Sequence, residues 1–215
     1  METAADDGFL EQFRGQIDLA WWRDLPAKER AGQLPGILAA WKKLYQVTAE
    51  LCFQMPAGYE AAYGLFHPEE NVLYLNLELE TGPVEQLFYL LHEFRHGVQY
   101  GHPEWFPDFL VKSMGYMIQY DGTCCRVERG QLLETKLDGE RAYFTQLYLC
   151  QPYERDANEF AFRSLKAAGE AQGVALEGLD ELFAMWSPRF QLFSEGEAAA
   201  HLEQAYRRID RQLNR

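Results

Sequence analysis

The sequence lacks the features that mark secreted and membrane-spanning proteins. Its four cysteines, Cys52, Cys124, Cys125 and Cys150, include no CxxC pair, so we expect free, reduced thiols and no cysteine-rich zinc site. No apolar run is long enough to span a bilayer, and the acidic first nine residues do not resemble a secretory signal. These absences predict a cytoplasmic protein without membrane contact.

Positive charge is also scarce. The chain has 20 Lys and Arg residues against 33 Asp and Glu residues, a formal net charge of -13. This charge repels phosphate backbones, so we expect no direct nucleic-acid binding. The sequence also contains no GxSxG, no GxxxxGK[ST], no GxGxxG after a strand and no spacing typical of a thiol protease.

What the sequence does have is the composition of a folded domain. Apolar residues make up 47% and aromatic residues 14% of 215 residues, with no internal repeat or linker. We predict a single zincin-like metallopeptidase domain over residues 1–215, with helical N-terminal support (1–55), a catalytic core (56–172) and C-terminal helices (173–215). The predicted fold class is α+β, mostly helical, with a small antiparallel sheet or hairpin before one central helix.

The hairpin is predicted from two segments rich in Tyr, Leu, Val and Phe, residues 59–66 and 71–79. In the second segment, leucines alternate with other residues, which predicts a buried leucine face and an edge that faces solvent or substrate. Pro83 then begins a helix, since apolar residues recur at helical spacing up to about residue 100. Elsewhere, Pro35 is expected to open a helix running towards residue 51, and residues 121–137 are expected to form a loop.

The predicted helix contains the most informative motif, His92-Glu93-Phe94-Arg95-His96, which is HExxH. Histidines at positions i and i+4 project from one helix face, so both can bind one Zn²⁺. Zinc lowers the pKa of water towards ~7, and a neighbouring carboxylate can take the proton as the water attacks a carbonyl. The motif therefore predicts His92 and His96 as metal ligands and Glu93 as the catalytic base.

A hydrolytic zinc site needs a third protein ligand, and the sequence offers two candidates. Glu154 shares a helix face with small residues, and Asn158, one turn further, could orient a ligand through a hydrogen bond. The alternative is His102, which follows His96 by six residues, as in metzincins, although Gln99 stands where that motif needs glycine. The sequence does not decide which nearby residue stabilises the oxyanion; the candidates are Arg95, Tyr100, His102 and Tyr153.

The hairpin, HExxH on a helix, and Glu154-Arg155-Asp156-Ala157-Asn158 followed by Phe160-Ala161 together resemble the ImmA/IrrE family of zinc metallopeptidases of bacteria, phages and mobile elements. The resemblance covers roughly residues 59–166. It implies a gluzincin-type site in which His92, His96 and Glu154 bind zinc and Glu93 is catalytic. Members of the family are associated with cleaving transcriptional repressors. Arg95 departs from the pattern, because this position is usually uncharged in zincin helices.

The sequence therefore predicts a zinc-dependent metallopeptidase that hydrolyses a peptide bond in a protein or peptide substrate. The family resemblance implies a repressor-type regulator as one candidate partner. The alternative is a non-catalytic zinc-binding interaction module of a phage or mobile element. Glu93 favours the enzyme, because a purely structural zinc site does not need it.

Overall fold

The computed structural model describes residues 4–128 and 131–214. These residues form a mixed α+β structure in which helices predominate, as the sequence predicted. They fall into two compact units. The first contains the described residues up to Trp105 together with Ala157–Phe183, and the second contains the described residues of 106–156 and 184–214. This division does not test the prediction of one domain over residues 1–215.

Three helices begin the first unit: α1 (Ala4–Gln16), α2 (Leu19–Asp24) and α3 (Ala27–Tyr45). The expectation that Pro35 opens a helix towards residue 51 was wrong, because α3 is continuous through Pro35 and ends at Tyr45. Leu34, Leu38 and Trp41 bury one face of α3. Pro35 lies on its exposed face, where water can replace the backbone hydrogen bond that proline cannot donate.

The first sheet contains three short strands, β1 (Glu50–Cys52), β2 (Gly64–His67) and β3 (Val72–Leu75), in the order β1-β3-β2. Strands β2 and β3 form the predicted antiparallel hairpin, and Leu73 and Leu75 are buried as the alternation predicted. The expectation of an open edge on the second arm was wrong, because β1 pairs in parallel with the other side of β3. The terminal strand on the hairpin side is β2.

Helix α4 (Pro83–Gly101) carries HExxH and packs against β2 and β3. Pro83 occupies its first position, and the carboxylate of Glu85 accepts a hydrogen bond of 2.6 Å from the backbone N–H of Gly82. The apolar residues predicted to share one face, Leu87, Leu90, Leu91, Phe94 and Val98, are all buried. Within the first unit, α4 therefore has a fixed start and a fully packed face.

The first helix of the second unit is α5 (Asp108–Ser113). It is followed by an antiparallel sheet of β4 (Tyr116–Ile118), β5 (Thr123–Glu128) and β6 (Gln131–Lys136). The prediction of a loop over residues 121–137 was wrong, because β5 and β6 pair along their whole length. Helix α6 (Arg141–Cys150) and helix α9 (Ala198–Leu213) bury the core of this unit, whose centre includes Ile118, Phe144, Leu147, Tyr206 and Ile209.

Two further helices complete the architecture: α7 (Pro152–Gln172) and α8 (Leu179–Met185). Helix α7 begins at Pro152, as predicted, and is uninterrupted, with its residues from Ala157 onward belonging to the first unit. All four cysteines are free. Among the described residues, no helix is both long and apolar enough to cross a membrane.

Candidate metal centre

The two histidines of HExxH converge at their Nε2 atoms. They lie one turn apart on α4, their ring planes are inclined at 88°, and their Nε2 atoms are 3.0 Å apart. His96 is buried and His92 is partly buried. Because a metal-binding imidazole presents a lone pair of one ring nitrogen, this arrangement suits two ligands of one ion.

Glu154 completes a group of three ligand atoms. It lies in the first turn of α7, and one of its carboxylate oxygens and one ring nitrogen from each of His92 and His96 all lie within 4.8 Å of one another. Sequence spacing favoured Glu154 as the third ligand, and among the described residues it is the one that joins the two histidines in such a group.

The alternative ligand His102 is engaged elsewhere. Its Nε2 lies 2.7 Å from the backbone carbonyl oxygen of Tyr45, and its Nδ1 lies 3.4 Å from Oε1 of Glu104. Its ring stacks on Trp105 with the centroids 4.0 Å apart. Both nitrogens therefore have partners at the end of α4, and His102 is not part of the three-ligand group.

The donor set fits zinc. Two imidazole nitrogens and one carboxylate oxygen bind zinc at about 2.1 Å, which in a tetrahedral site places ligand atoms roughly 3.4 Å apart. The observed Nε2–Nε2 distance of 3.0 Å is close to that value, and the three ligand atoms lie within 4.8 Å of one another, a group that could hold a metal ion. Nitrogen and oxygen donors also accept other divalent transition metals, so chemistry alone favours zinc without being specific to it.

Glu93 lies beside the ligand nitrogens. Its side chain is buried, and its Oε1 is 4.0 Å from Nε2 of His92. On its other side, the backbone of β2 comes so close that a Cβ atom added to Gly64 would lie 2.7 Å from both Cγ and Oε1 of Glu93. Only glycine leaves room for the carboxylate at this position.

Gln99 is a functional candidate that the sequence reasoning missed. It is fully buried, and its Oε1 lies 2.8 Å from Nδ1 of His96, three residues earlier on α4. Because an amide oxygen can only accept, Nδ1 of His96 carries the proton and Nε2 keeps a lone pair for a metal. The i, i+3 spacing from a ligand histidine was the available signal.

Arg95 is explained by an ion pair within the first unit. Its guanidinium donates two hydrogen bonds to Asp6 of α1, at 2.7 and 3.3 Å, and lies 4.7 Å from the ring centroid of Phe160. Asp6 also accepts a hydrogen bond of 2.9 Å from the hydroxyl of Tyr45. Arg95 and Asp6 are both buried, so the charge that departs from the zincin pattern joins α4 to α1.

The remaining site candidates from the sequence are Asn158, Tyr100 and Tyr153. Asn158 is buried one turn beyond Glu154, and its predicted role in orienting a ligand stays a prediction. The ring of Tyr100 packs against Phe66, with the centroids 5.7 Å apart, and Tyr153 is buried. The choice of an oxyanion-stabilising residue stays open among the candidates that the sequence offered.

Two tyrosines of the second unit lie within the electrostatic reach of Glu154. Burial, followed by the charge of Glu154, raises the pKa of Tyr148 well above its ordinary value. Burial also raises the pKa of Tyr120, whose ring centroid lies 4.5 Å from that of Tyr148. Both phenols therefore stay protonated near neutral pH and can donate hydrogen bonds; the sequence pattern gave no signal for them.

Comparisons with protein-family models, with curated proteins and with solved structures gave no match. The resemblance to the ImmA/IrrE family therefore stays a prediction from the motifs.

Proposed function

We propose that this chain is a zinc-dependent metallopeptidase with a zincin-like catalytic core, and that it hydrolyses a peptide bond in a protein or peptide substrate in the cytoplasm. One observation carries the proposal: His92, His96 and Glu154 present three ligand atoms within 4.8 Å of one another, with the carboxylate of Glu93 beside them. Two histidines, one further carboxylate ligand and an adjacent carboxylate that is not a ligand form the residue set that zinc peptidases use.

Each residue then has a distinct role. A zinc ion held by His92, His96 and Glu154 would supply Lewis-acid chemistry, lowering the pKa of water and polarising the substrate carbonyl. Glu93 accepts a proton from the attacking water and passes it to the departing amine. Gln99 keeps the Nδ1 proton of His96 in place, which leaves Nε2 available as a ligand.

Strand β2 supports a means of presenting the substrate. It is the terminal strand of its sheet among the described residues, and Gly64 brings its backbone next to Glu93. An extended peptide that pairs with β2 would lie alongside the carboxylate, in the manner of peptides that add a strand to a sheet. The proposed substrate-facing edge is therefore residues 64–67, whereas the sequence had suggested residues 71–79.

Metal content tests the ligand set. We expect one zinc per chain in the purified wild type, measured by elemental analysis after dialysis, loss of zinc in His92→Ala and weaker binding in Glu154→Ala. The matched control is His102→Gln, which should keep its zinc, and circular dichroism should show that each variant is folded. A folded wild type that holds no zinc after supplementation would overturn the proposal.

Hydrolysis tests the catalytic role of Glu93. With a mixed peptide library and mass spectrometry as the readout, the zinc-loaded wild type should cleave peptides, and Glu93→Gln should keep zinc while losing about 10²- to 10⁴-fold in rate. Zinc binding with no cleavage of any peptide by the wild type would instead support the non-catalytic zinc-binding interaction module.

A further inference from the structure

The segment that builds the first sheet and most of α4 contains no cationic side chain. Residues 44–94 include no Lys or Arg, but they include eight glutamates: Glu50, Glu60, Glu69, Glu70, Glu78, Glu80, Glu85 and Glu93. The other 164 residues contain all 20 Lys and Arg residues and 25 Asp and Glu residues. More than half of the net charge of the chain therefore lies in less than a quarter of its length.

These glutamates flank the strand that lies beside Glu93. Glu60 precedes the start of β2 by four residues, and Glu69 and Glu70 follow its end. All three are exposed, as are Glu78 and Glu80. In the part of the chain that the structure describes, none of these five carboxylates forms a salt bridge, so their charge faces solvent without a cationic partner.

The carboxylate at the first end of β2 is held in place by neutral groups. Glu60 accepts hydrogen bonds of 3.0 and 3.1 Å from the backbone N–H of Gly58, and backbone hydrogen bonds lower its pKa. The buried amide of Asn76 donates to the backbone carbonyl oxygens of Glu60 and Ala62, each at 2.9 Å. The chain leading into β2 is thus fixed with a negative charge on it.

At the other end of β2, neutral groups also hold a carboxylate in place. The hydroxyl of Tyr74 donates a hydrogen bond of 2.7 Å to the carboxylate of Glu70, and the backbone N–H of Glu70 lies 3.3 Å from Nδ1 of His67. The hydrogen bond to Glu70, followed by burial and the charge of Glu70, raises the pKa of Tyr74 to about 12. Neutral donors therefore orient Glu70 and leave its negative charge in place.

Resting on the proposed function, we propose that the substrate segment that pairs with β2 is an extended peptide rich in Lys and Arg. Four residues of strand span roughly 13 Å, so a peptide that continues past both ends of β2 brings its side chains to Glu60 at one end and to Glu69 and Glu70 at the other. Uncompensated carboxylates attract cationic side chains, accelerate encounter and disfavour acidic competitors.

The test uses three labelled peptides of equal length and one scissile sequence, flanked on both sides by Lys, by Gln or by Glu. For the zinc-loaded wild type at low salt, we expect kcat/KM for the Lys peptide to exceed that for the Glu peptide by roughly 10- to 10³-fold, and the ratio to shrink in high salt. Equal values for the three peptides would overturn the inference.

Charge-neutralising variants test which carboxylates cause the preference for the Lys peptide. The double variant Glu69→Gln, Glu70→Gln should lose most of the preference for Lys, because both glutamines keep the side-chain shape without the charge. The matched control is Asp180→Asn, Glu181→Gln, which removes the same charge from exposed positions of α8 and should keep the preference. An unchanged preference in the Glu69 and Glu70 variant would contradict the inference.

Binding of the same peptides separates this inference from the proposed function. Fluorescence anisotropy with the folded Glu93→Gln protein reports affinity without cleavage. If the wild type cleaves none of the peptides but the Lys peptide binds selectively, the peptidase proposal fails and the basic-peptide surface stands. If peptides are cleaved without charge preference, the basic-peptide surface fails and the peptidase stands; absence of both selective binding and cleavage overturns both.

Discussion

The second unit and the sheet of the first unit use carboxylates in different ways. In the second unit, Arg126 pairs with Asp210 at 2.8 Å and Lys112 pairs with Glu203 at 2.6 Å, so that cations join β5 and α5 to α9. Beside the sheet of the first unit, neutral groups hold the exposed carboxylates of Glu60 and Glu70, and residues 44–94 contain no Lys or Arg. Charges that are already paired serve the fold, whereas charges held by neutral donors remain available to a partner.

The first unit also has a buried ion pair, Asp6 with Arg95, and removing it should have the largest effect on stability. Asp6→Ala leaves the buried Arg95 without its partner, which should lower the free energy of unfolding by about 3–5 kcal/mol in urea denaturation. The double variant Asp6→Ala, Arg95→Met should recover much of that loss. Simple additivity of the two single changes would show that the pair does not act as a unit.

Gln99→Leu should weaken the site with a smaller effect on the fold. Loss of the hydrogen bond to Nδ1 of His96 should lower zinc affinity by about 10- to 100-fold, measured by competition with a chromophoric chelator. Gln99→Glu keeps an acceptor for Nδ1 and is the matched control. Equal zinc affinity in wild type and Gln99→Leu would remove Gln99 from the site.

Asp210→Asn tests a carboxylate of the second unit that is paired with a cation. Asp210 accepts hydrogen bonds from Arg126 and from the hydroxyl of Tyr116, so the change should lower Tm by a few degrees in thermal unfolding. Peptidase activity at a temperature below the transition should not change. In contrast, Glu69→Gln should leave Tm unchanged, and a comparable loss of Tm in that variant would contradict the division between paired and available carboxylates.

The smallest effect is a difference between two tyrosines that both have a pKa of about 12. The hydrogen bond to Glu70 is the main cause for Tyr74, whereas burial is the main cause for Tyr116. In NMR titrations of labelled tyrosine, Glu70→Gln should therefore lower the pKa of Tyr74 more than Asp210→Asn lowers that of Tyr116. Because both folded-state pKa values are raised, their contribution to stability is complete below pH ~10 and is lost as the pH rises through about 12. Equal shifts in the two variants would count against this difference.

The sequence predicted the features that depend on local periodicity. Helix α4, the start of α7 at Pro152 and the hairpin of β2 and β3 follow from apolar spacing and from proline, and helical spacing favoured Glu154 as the third ligand. These signals are contained within one helix or one hairpin, so no distant residue is needed to interpret them.

The features that the sequence did not predict depend on distant partners. Four of the six residues of β6 are polar and its two leucines are adjacent, so residues 131–136 show no alternating apolar pattern. Contacts such as that of Thr135 with Gln212 are remote in sequence. The central place of β3 depends on a three-residue strand, β1, that pairs in parallel. Helix α3 continues through Pro35 because packing outweighs the proline signal.

Gly64 determines how closely strand β2 can approach Glu93. A side chain at this position would place its Cβ atom 2.7 Å from Cγ and Oε1 of Glu93, so the strand or the glutamate side chain would have to shift. The missing Cβ atom thus sets the shortest separation between the strand and the base. If a peptide pairs with β2 as proposed, its backbone would also be held at a fixed distance from Glu93, so this glycine would help to set the position of the scissile bond.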